Sequence, residues 1–273
     1  MIFLGALLLA NMCPAEPTGE PTNAKEAAQQ QQLKSGITPD MLEREAKRKA
    51  AMTPDELAWE NTLEAYLGNF YLPLHYKDKD AGKETDWDYV KDDPALPRLL
   101  IIGDSISGGY TLPVRHALAG KVNVHRAPEN CGSTARGLKN LDIWLKGGKW
   151  DTITWNFGIH DRQMDPAVFQ SNLETLLQRL QKTGARIIWV RTTPAPLPGN
   201  LATFTDAQCD QVNSIADGVM KKSGIQEVDL YSLMKPVLKE HQLPNNVHFK
   251  KTGYELMGRE VTKAVLASGL CDK

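Results

Sequence analysis

Short apolar runs alternate with longer amphipathic stretches along the chain after Pro97. The run from Leu99 to Ile102 contains only apolar residues, which is typical of a strand buried on both faces of a parallel sheet. Runs of a similar kind predict further strands at residues 122–124, 152–155, 186–190 and 227–230. The pattern therefore predicts a sheet whose strands are short and largely buried.

Helical periodicity fills the intervals between the later strands. The clearest interval begins at Asp165-Pro166 and ends before Gly184. Its apolar face consists of Phe169, Leu173, Leu176, Leu177 and Leu180. Alternation of strands and helices implies right-handed crossovers and helices on both faces of the sheet. The sequence thus predicts an α/β fold over residues 96–273, a three-layer α/β/α sandwich with a mostly parallel central sheet.

A different pattern precedes this domain. Thr38-Pro39 places a cap residue before a first-turn proline, and Thr53–Glu56 forms a capping box. Two helices are expected to start there, the second ending near Gly68. Residues 70–89 are rich in aromatic side chains. We predict a helical and aromatic N-terminal extension, residues 37–95, that packs on the main domain; the alternative is that its aromatic residues rim a substrate cleft.

The first residues of the chain predict a leader. Residues 2–10 form an apolar run that is too short to span a membrane but suits the central region of a secretory signal. Small residues follow at Cys13 and Ala15. We therefore predict a signal peptide at residues 1–15 and an exported protein, with a disordered hydrophobic N-terminus as the alternative. Residues 16–36, rich in Pro, Thr, Ala and Gln, are predicted to be a linker.

Charge and cysteine content exclude several classes of protein. The chain has 32 basic and 33 acidic residues and a formal net charge of −1. A binder of nucleic acid or of anionic membranes would need a basic surplus, so neither partner is expected. No apolar run reaches the roughly 18 residues that a membrane span needs. The four cysteines lack zinc-cluster spacing, so no metal is expected, and Cys131 and Cys209 could form a disulfide in an exported protein.

Candidate chemistry stands directly after the first predicted strand, where Gly103-Asp104-Ser105 follows Ile102. Reactive residues of open α/β sheets gather just past the carboxyl ends of strands. Ser105 would begin the next segment, where its backbone N–H can face a developing oxyanion. Serine alone is a weak nucleophile and needs a histidine base within hydrogen-bond reach. Asp104 and Asp161 are expected to hold turns by accepting backbone N–H bonds.

Further blocks follow this motif in a fixed order. The set comprises Gly103–Ser107, Asn130–Gly132, Phe157–Asp161, Asn245–Phe249 and the trailing Thr252–Tyr254. In this order the blocks resemble those of the SGNH (GDSL-like) hydrolase superfamily, and the chain most resembles its bacterial exported carbohydrate esterases and acetylesterases. The resemblance covers about residues 99–267 and is specific as an ordered set.

The resemblance implies a role for each matching residue. Ser105 becomes the nucleophile and His248 the general base, and the backbone N–H groups of Ser105 and Gly132 become oxyanion-hole donors. His160 stands where the family has an oxyanion-hole Asn, and a neutral imidazole still has one N–H to donate. Asn245 stands where the family has the Asp that orients the histidine, so it would accept a hydrogen bond without carrying charge.

What orients His248 is left open by the sequence. Asn245 or a backbone carbonyl would hold the imidazole in a Ser–His dyad; alternatively Glu240 or Asp104 would supply a carboxylate, or the enzyme would be slow. Three residues beside the oxyanion glycine are predicted to contact substrate: Asn130, Ser133 and Arg136.

The resulting hypothesis is a serine esterase that removes short acyl groups, above all acetyl, from a carbohydrate or related ester. The reaction would pass through an acyl-enzyme and would need no cofactor. Transfer of the acyl group to a glycan hydroxyl by the same site is one alternative. A catalytically weak glycan-binding module, suggested by the missing Asp, and a lipid esterase are the others. The expected partner is a small-molecule or glycan ester, and the sequence does not determine the oligomeric state.

Overall fold

The computed structural model describes residues 36–196 and 204–270. The predicted signal peptide, and the predicted linker up to residue 35, lie outside the described residues. Within that range, five parallel strands form one sheet in the order β2-β1-β3-β4-β5. The strands are β1 (Arg98–Ile102), β2 (Asn123–Arg126), β3 (Thr152–Trp155), β4 (Arg186–Val190) and β5 (Gln226–Val228).

Strand β1 lies inside the sheet, between β2 and β3, and is buried on both faces. Leu99 and Ile101 belong to one hydrophobic core, whereas Leu100 and Ile102 belong to a second core on the opposite face. Since alternate side chains of a strand point to opposite faces, the wholly apolar run fills both cores at once. The predicted three-layer α/β/α sandwich with its parallel sheet is confirmed.

Helices cover both faces of the sheet and extend the N-terminal part of the chain. They are α1 (Pro39–Ala50), α2 (Pro54–Tyr66), α3 (Gly68–Asp80), α4 (Ser105–Ala117), α5 (Thr134–Leu145), α6 (Pro166–Gln181), α7 (Asp206–Lys222), α8 (Leu230–Met234), α9 (Leu238–His241) and α10 (Lys251–Ala267). The apolar sides of α4 and α10 pack on one face, and those of α5, α6 and α7 pack mainly on the other. None of the helices in these two described ranges is long and apolar enough to cross a membrane.

Helices α4 and α10 approach each other closely at two glycines. A Cβ atom added to Gly109 would lie 2.2 Å from the ring of Tyr254, and one added to Gly258 would lie 2.5 Å from Cβ of Pro113. Such distances are far inside van der Waals contact, so each position requires glycine. Because α4 begins at Ser105 and α10 begins shortly after His248, this packing brings the two residues to the same edge of the sheet.

The N-terminal extension consists of α1, α2 and α3 around a buried carboxylate. Glu60 accepts hydrogen bonds from Arg48 at 2.7 Å and 3.1 Å, and its Oε2 lies 3.0 Å from His75 Nε2. Burial raises the pKa of Glu60, but the hydrogen bonds from His75 and Arg48 outweigh it and lower that pKa to about 2. The charged cluster therefore ties all three helices together.

The sequence prediction does not identify the helix α3; it has α2 ending near Gly68 and an aromatic stretch beyond it. The chain does leave α2 there, since Gly68 has φ +68°, but α3 begins at the same residue. No side chain caps the start of α3, and Pro73 lies inside it. The usual start signal is therefore absent, and a helix breaker stands in the interior.

The extension packs on the main domain, as the aromatic composition predicts. Arg115 of α4 donates hydrogen bonds at 3.1 Å to the backbone carbonyls of Thr85 and Asp86. Asn123 of β2 receives a hydrogen bond from the backbone N–H of Asp93 at 2.9 Å. The two parts of the chain are thus joined by backbone as well as side-chain groups.

Two details of the sequence prediction are wrong. Strand β5 ends at Val228 rather than at residue 230, because Asp229 accepts a hydrogen bond from the backbone N–H of Ser232 and so begins α8. The suggested disulfide does not form: Cys131 and Cys209 are both free and buried, in the cores on opposite faces of the sheet. The intervening sheet separates the two thiols.

Candidate active site

Ser105 stands at the first position of helix α4, directly behind strand β1. Asp104 caps the helix, since its Oδ1 accepts the backbone N–H of Ile106 at 2.9 Å, as the sequence predicts. Gly103 is required in the turn, because a Cβ atom there would lie 2.8 Å from Ser107 Oγ. The Ser105 N–H belongs to the first turn of the helix, where backbone donors have no partner within the helix and favour negative charge.

His248 reaches Ser105 from the loop between α9 and α10. Its Nε2 lies 2.8 Å from Ser105 Oγ, which is within hydrogen-bond distance. Both side chains are partly buried. The structure thus brings the predicted nucleophile and the predicted base into direct contact, although 143 positions separate them in the sequence.

The residue that holds the histidine is Asn246, not Asn245. Oδ1 of Asn246 lies 2.7 Å from His248 Nδ1 and accepts the backbone N–H of the same histidine at 3.0 Å. Asn245 is exposed and adopts a left-handed backbone conformation with φ +52°, so the chain turns at that residue and the next side chain meets the ring. The prediction of Asn245 is therefore wrong by one position.

Neither carboxylate considered in the sequence analysis binds Nδ1 in the structure. Glu240 has a side chain that is 77 % exposed, and its described ion-pair partner is His241. Asp104 is buried and acts on His248 through its charge alone. Burial lowers the pKa of His248, Asp104 opposes this shift, and His160 adds to it. The ring is thus biased toward its neutral form, which is the form that accepts a proton.

The three predicted oxyanion donors share the edge of the sheet at Ser105. Gly132 has φ +61° and follows Cys131, whose backbone N–H donates to the carbonyl of Gly103 at 3.2 Å, so this loop lies against the turn before the serine. His160 has a side chain that is 40 % exposed, and its Nε2 lies 3.9 Å from Asp104 Oδ2. Their assignment as oxyanion donors remains a prediction.

The block around His160 is held by its neighbour Asp161. Oδ1 of Asp161 accepts the backbone N–H of Thr134 at 2.8 Å and its hydroxyl at 2.6 Å. This pair joins the turn after β3 to the start of α5, as expected for an aspartate that holds a turn. These hydrogen bonds fix the backbone of the loop that contains His160.

The three predicted substrate contacts have different environments. Asn130 donates from Nδ2 to the hydroxyl of Tyr71 at 3.1 Å. Ser133 is the N-cap residue of α5. Arg136 forms an ion pair with Glu129, whose side chain is fully buried and also accepts the indole N–H of Trp144 at 2.6 Å. The guanidinium of Arg136 therefore has a structural partner, and its contact with substrate stays a prediction.

Two residues outside the sequence motifs lie beside the serine. The first, Tyr71 of α3, lines the same cleft as Ser105, and its hydroxyl accepts the hydrogen bond from Asn130. The second, Arg126 at the end of β2, is buried and donates to Ser107 Oγ at 2.6 Å and to the carbonyl of Asp104 at 3.0 Å. No motif or spacing in the sequence connects Arg126 with the serine, whereas Tyr71 belongs to the aromatic stretch that the sequence offers as the rim of a cleft.

Arg126 also connects the serine turn to the extension. Its Nε lies 2.9 Å from Oδ2 of Asp86, and its guanidinium lies over the ring of Trp87 at 5.4 Å. Gly108 of α4 makes room for this contact, since a Cβ atom there would lie 2.8 Å from the same Asp86 oxygen. The buried guanidinium of Arg126 therefore joins the turn before Ser105 to Asp86 and Trp87 of the extension.

A cleft of about 280 Å³ opens beside the serine, between α4 and the extension. Its lining includes Ser105, Tyr71, Leu74, Asp86, Trp87 and Arg126. The volume is at the small end of the range for ligand pockets, and the lining combines aromatic, aliphatic and charged groups. Within the described residues, no group of three or more His, Cys, Asp or Glu side chains is arranged to hold a metal ion.

Comparisons with known proteins agree with this arrangement. A model of the GDSL-like lipase/acylhydrolase family matches residues 101–256. Among solved structures, the chain is similar to a lipase/acylhydrolase from Enterococcus faecalis, with 23 % identity, a TM-score of 0.57, and 63 % of this chain and 97 % of that chain covered. No curated protein matches the chain.

Two further solved structures carry more specific names. One is an acetyl xylan esterase, with 15 % identity, a TM-score of 0.53, and 62 % of this chain and 99 % of that chain covered. The other is a variant of an acetyl-xylooligosaccharide esterase from Geobacillus, with 19 % identity, a TM-score of 0.51, and 62 % and 94 % covered. At such identities the likeness shows the fold.

Proposed function

Because the chain belongs to the GDSL-like lipase/acylhydrolase family, whose members are hydrolases acting on ester bonds, we propose that it is a serine esterase for short acyl esters of carbohydrates. The observation that carries the proposal is the 2.8 Å contact between Ser105 Oγ and His248 Nε2 at the start of a helix. A serine in hydrogen-bond contact with a neutral histidine is the arrangement that activates a hydroxyl for nucleophilic attack.

The first half of the reaction forms an acyl-enzyme. Ser105 Oγ attacks the ester carbonyl carbon while its proton passes to His248 Nε2, and the carbonyl electrons move onto the oxygen. The resulting oxyanion is bound by the backbone N–H groups of Ser105 and Gly132 and by His160. When the tetrahedral intermediate collapses, the bond to the alcohol breaks and the alcohol leaves with the proton from His248.

The second half releases the acid. Water gives its proton to His248 as it attacks the acyl carbon, and Ser105 Oγ leaves and recovers that proton. Throughout, Asn246 Oδ1 accepts from Nδ1 of the imidazole, which keeps Nε2 directed at the serine. An amide fixes the tautomer in this way but cannot neutralise the imidazolium.

The size of the cleft supports a short acyl group. About 280 Å³ leaves little room for a long alkyl chain. The similarity to two esterases of acetylated xylan and xylooligosaccharides is consistent with this substrate class.

Export is part of the proposal and is supported by the apolar run at residues 2–10 and the small residues that follow. We expect the mature chain to begin at Glu16 and to collect outside the cytoplasm of a bacterial cell. Cell fractionation followed by mass measurement of the N-terminal peptide checks this; retention of residues 1–15 in a cytoplasmic fraction contradicts it.

The esterase proposal is tested with p-nitrophenyl acetate and with an acetylated xylooligosaccharide. The wild type is expected to release p-nitrophenol and acetic acid, and both Ser105→Ala and His248→Ala are expected to lose at least about a thousandfold in kcat. Turnover that survives in Ser105→Ala would remove the serine from the mechanism. If an added glycan receives the acetyl group in place of water, the activity is acyl transfer.

A further inference from the structure

Two residues that line the cleft beside Ser105 each have a nitrogen atom without a hydrogen-bond partner in the part of the chain that the structure describes. These atoms are Nε1 of Trp87 and Nδ1 of His75. Both side chains are deeply buried, since Trp87 is 7 % exposed and His75 is 2 % exposed. Because an unpaired buried polar group costs free energy, a ligand in the cleft that pairs with these atoms gains affinity.

Other polar groups of the same lining have protein partners. The carboxylate of Asp86 lies 2.9 Å from the guanidinium of Arg126, and that of Asp78 lies 2.8 Å from the ammonium group of Lys83. These charges are therefore used within the fold. The indole and imidazole nitrogens differ from them in that the fold leaves both unpaired.

The position of Trp87 also separates it from other buried tryptophans. Trp155 and Trp189 likewise have indole nitrogens without a partner among residues 36–196 and 204–270. Their rings pack edge to face at 4.8 Å inside the core, and neither residue lines the cleft at the serine. An unpaired indole in that core is out of reach of a substrate, whereas the indole of Trp87 borders the cleft.

The two nitrogens have opposite hydrogen-bonding characters. An indole nitrogen only donates. Glu60 is a carboxylate and only accepts, so the proton between it and His75, at 3.0 Å, is on Nε2 of the imidazole. In the neutral ring Nδ1 then has a lone pair and accepts. The cleft thus offers one buried donor and one buried acceptor, and hydroxyl groups are the ligand groups that serve both.

Both side chains are held in place before any ligand binds. The backbone carbonyl of Trp87 accepts the indole N–H of Trp59 at 2.7 Å, and the Trp87 ring has an edge contact with Tyr71 at 5.2 Å. Glu60 fixes His75 from the other side of the imidazole. Groups that are already ordered bind a ligand without a further loss of side-chain entropy.

We propose that Trp87 and His75 bind hydroxyl groups on the alcohol part of the ester, so that the N-terminal extension selects polyhydroxylated alcohols. The proposal rests on the proposed esterase function. One hydroxyl accepts from Nε1 of Trp87, and a hydroxyl donates to Nδ1 of His75. These hydroxyls belong to the alcohol, because a short unsubstituted acyl group has none. An alcohol without them leaves both nitrogens unpaired, and a site of this kind discriminates strongly against such an analogue.

The test compares glycerol 1-acetate with propyl acetate in the full chain, because these esters differ only in two hydroxyls of the alcohol. We expect kcat/KM of the wild type to be at least about tenfold higher for glycerol 1-acetate. Trp87→Phe keeps an aromatic ring but removes the N–H, and it is expected to lower this ratio about fivefold or more. For p-nitrophenyl acetate, whose alcohol has no free hydroxyl, kcat/KM should change less than about threefold.

Trp189→Phe is the matched control, since it removes an unpaired indole N–H that does not line the cleft. It is expected to leave the ratio within about twofold of the wild type. A wild-type ratio near one, or the same ratio in the wild type and Trp87→Phe, overturns the proposal while the esterase stands. If the wild type hydrolyses neither ester nor p-nitrophenyl acetate, both proposals are wrong.

Should Trp87→Phe not fold, as judged by circular dichroism, His75→Phe replaces it. This substitution removes the acceptor nitrogen, and Glu60 keeps its hydrogen bonds from Arg48. We expect the ratio of kcat/KM for glycerol 1-acetate to that for propyl acetate to decrease about fivefold or more. An unchanged ratio in His75→Phe overturns the proposal in the same way.

Discussion

At His248, the Nδ1 atom faces a neutral amide oxygen, so the imidazolium formed during the reaction has no charged partner along that hydrogen bond. Replacement of Asn246 by Asp would supply the charge with nearly the same shape. We expect Asn246→Asp to raise kcat by about tenfold or more, since the reverse change in a serine protease costs about 10⁴. The measurement is kcat and KM for p-nitrophenyl acetate.

Asn245→Asp is the matched control, because its side chain is exposed in the preceding turn. It is expected to leave kcat within about twofold, as exposed charge substitutions have small effects. A gain in Asn245→Asp together with no gain in Asn246→Asp would show that the hydrogen bond to Asn246 is not the one that operates in catalysis.

The pH dependence of hydrolysis also follows from His248. Only the neutral ring accepts the serine proton, and burial lowers the pKa of His248, so the neutral form persists to lower pH than for an ordinary histidine. We expect the acid limb of kcat/KM to have its midpoint below about pH 6.5 in the wild type. In Asn246→Asp the midpoint should move up, because a carboxylate favours the imidazolium. A wild-type midpoint above 7 would contradict this.

At this scale the sequence predicts some residues well and others not at all. Ser105 and His248 belong to ordered motifs, and the structure brings them into contact. Asn246 rather than Asn245 meets the imidazole because Asn245 adopts a left-handed backbone conformation. The sequence alone does not show which of the two adjacent asparagines turns the chain. Arg126 comes to the turn at Ser105 only through tertiary packing, so no local pattern predicts it. The aromatic composition points to the stretch that contains Tyr71 but not to that residue.

At the scale of the elements, the packing of α4 on α10 sets the distance between nucleophile and base. Gly109→Ala would gain helix propensity but would place a methyl group 2.2 Å from the ring of Tyr254. We expect the overlap to dominate, lowering the free energy of unfolding by about 1–3 kcal/mol and reducing kcat. Urea denaturation and p-nitrophenyl acetate hydrolysis measure the two effects.

Gly218→Ala in α7 is the control for helix propensity, because a Cβ atom there meets nothing within 4 Å. It is expected to raise the free energy of unfolding by up to about 1 kcal/mol and to leave kcat unchanged. Equal stabilisation by both substitutions would show that the close approach of the two helices does not constrain Gly109.

Strong local signals also explain which elements the sequence predicts. The apolar run of β1 and the apolar face of α6 are found where expected. Burial of both faces of a strand gives a continuous apolar run, whereas burial of one face of a helix gives apolar residues at helical spacing. The helix α3 has neither a capping side chain nor an interior free of proline. It is held by contacts such as those of Glu60 with His75, which only the folded chain supplies.

At the scale of the whole molecule, the N-terminal extension closes one side of the cleft at Ser105. The proposed esterase would use this cleft of about 280 Å³ for a short acyl group such as acetyl or butyryl. We expect kcat/KM for p-nitrophenyl esters to fall about tenfold or more from butyrate to octanoate and to be lowest for palmitate. A steady rise with chain length would instead favour a lipid esterase.

Ser105 is the proposed nucleophile, and the most direct test is to identify the residue that a fluorophosphonate modifies in the full chain. One adduct is expected, located by peptide mass spectrometry on Ser105, that is absent in Ser105→Ala and forms at least about a hundredfold more slowly in His248→Ala. An adduct on another residue of the wild type, or no adduct at all, would contradict it.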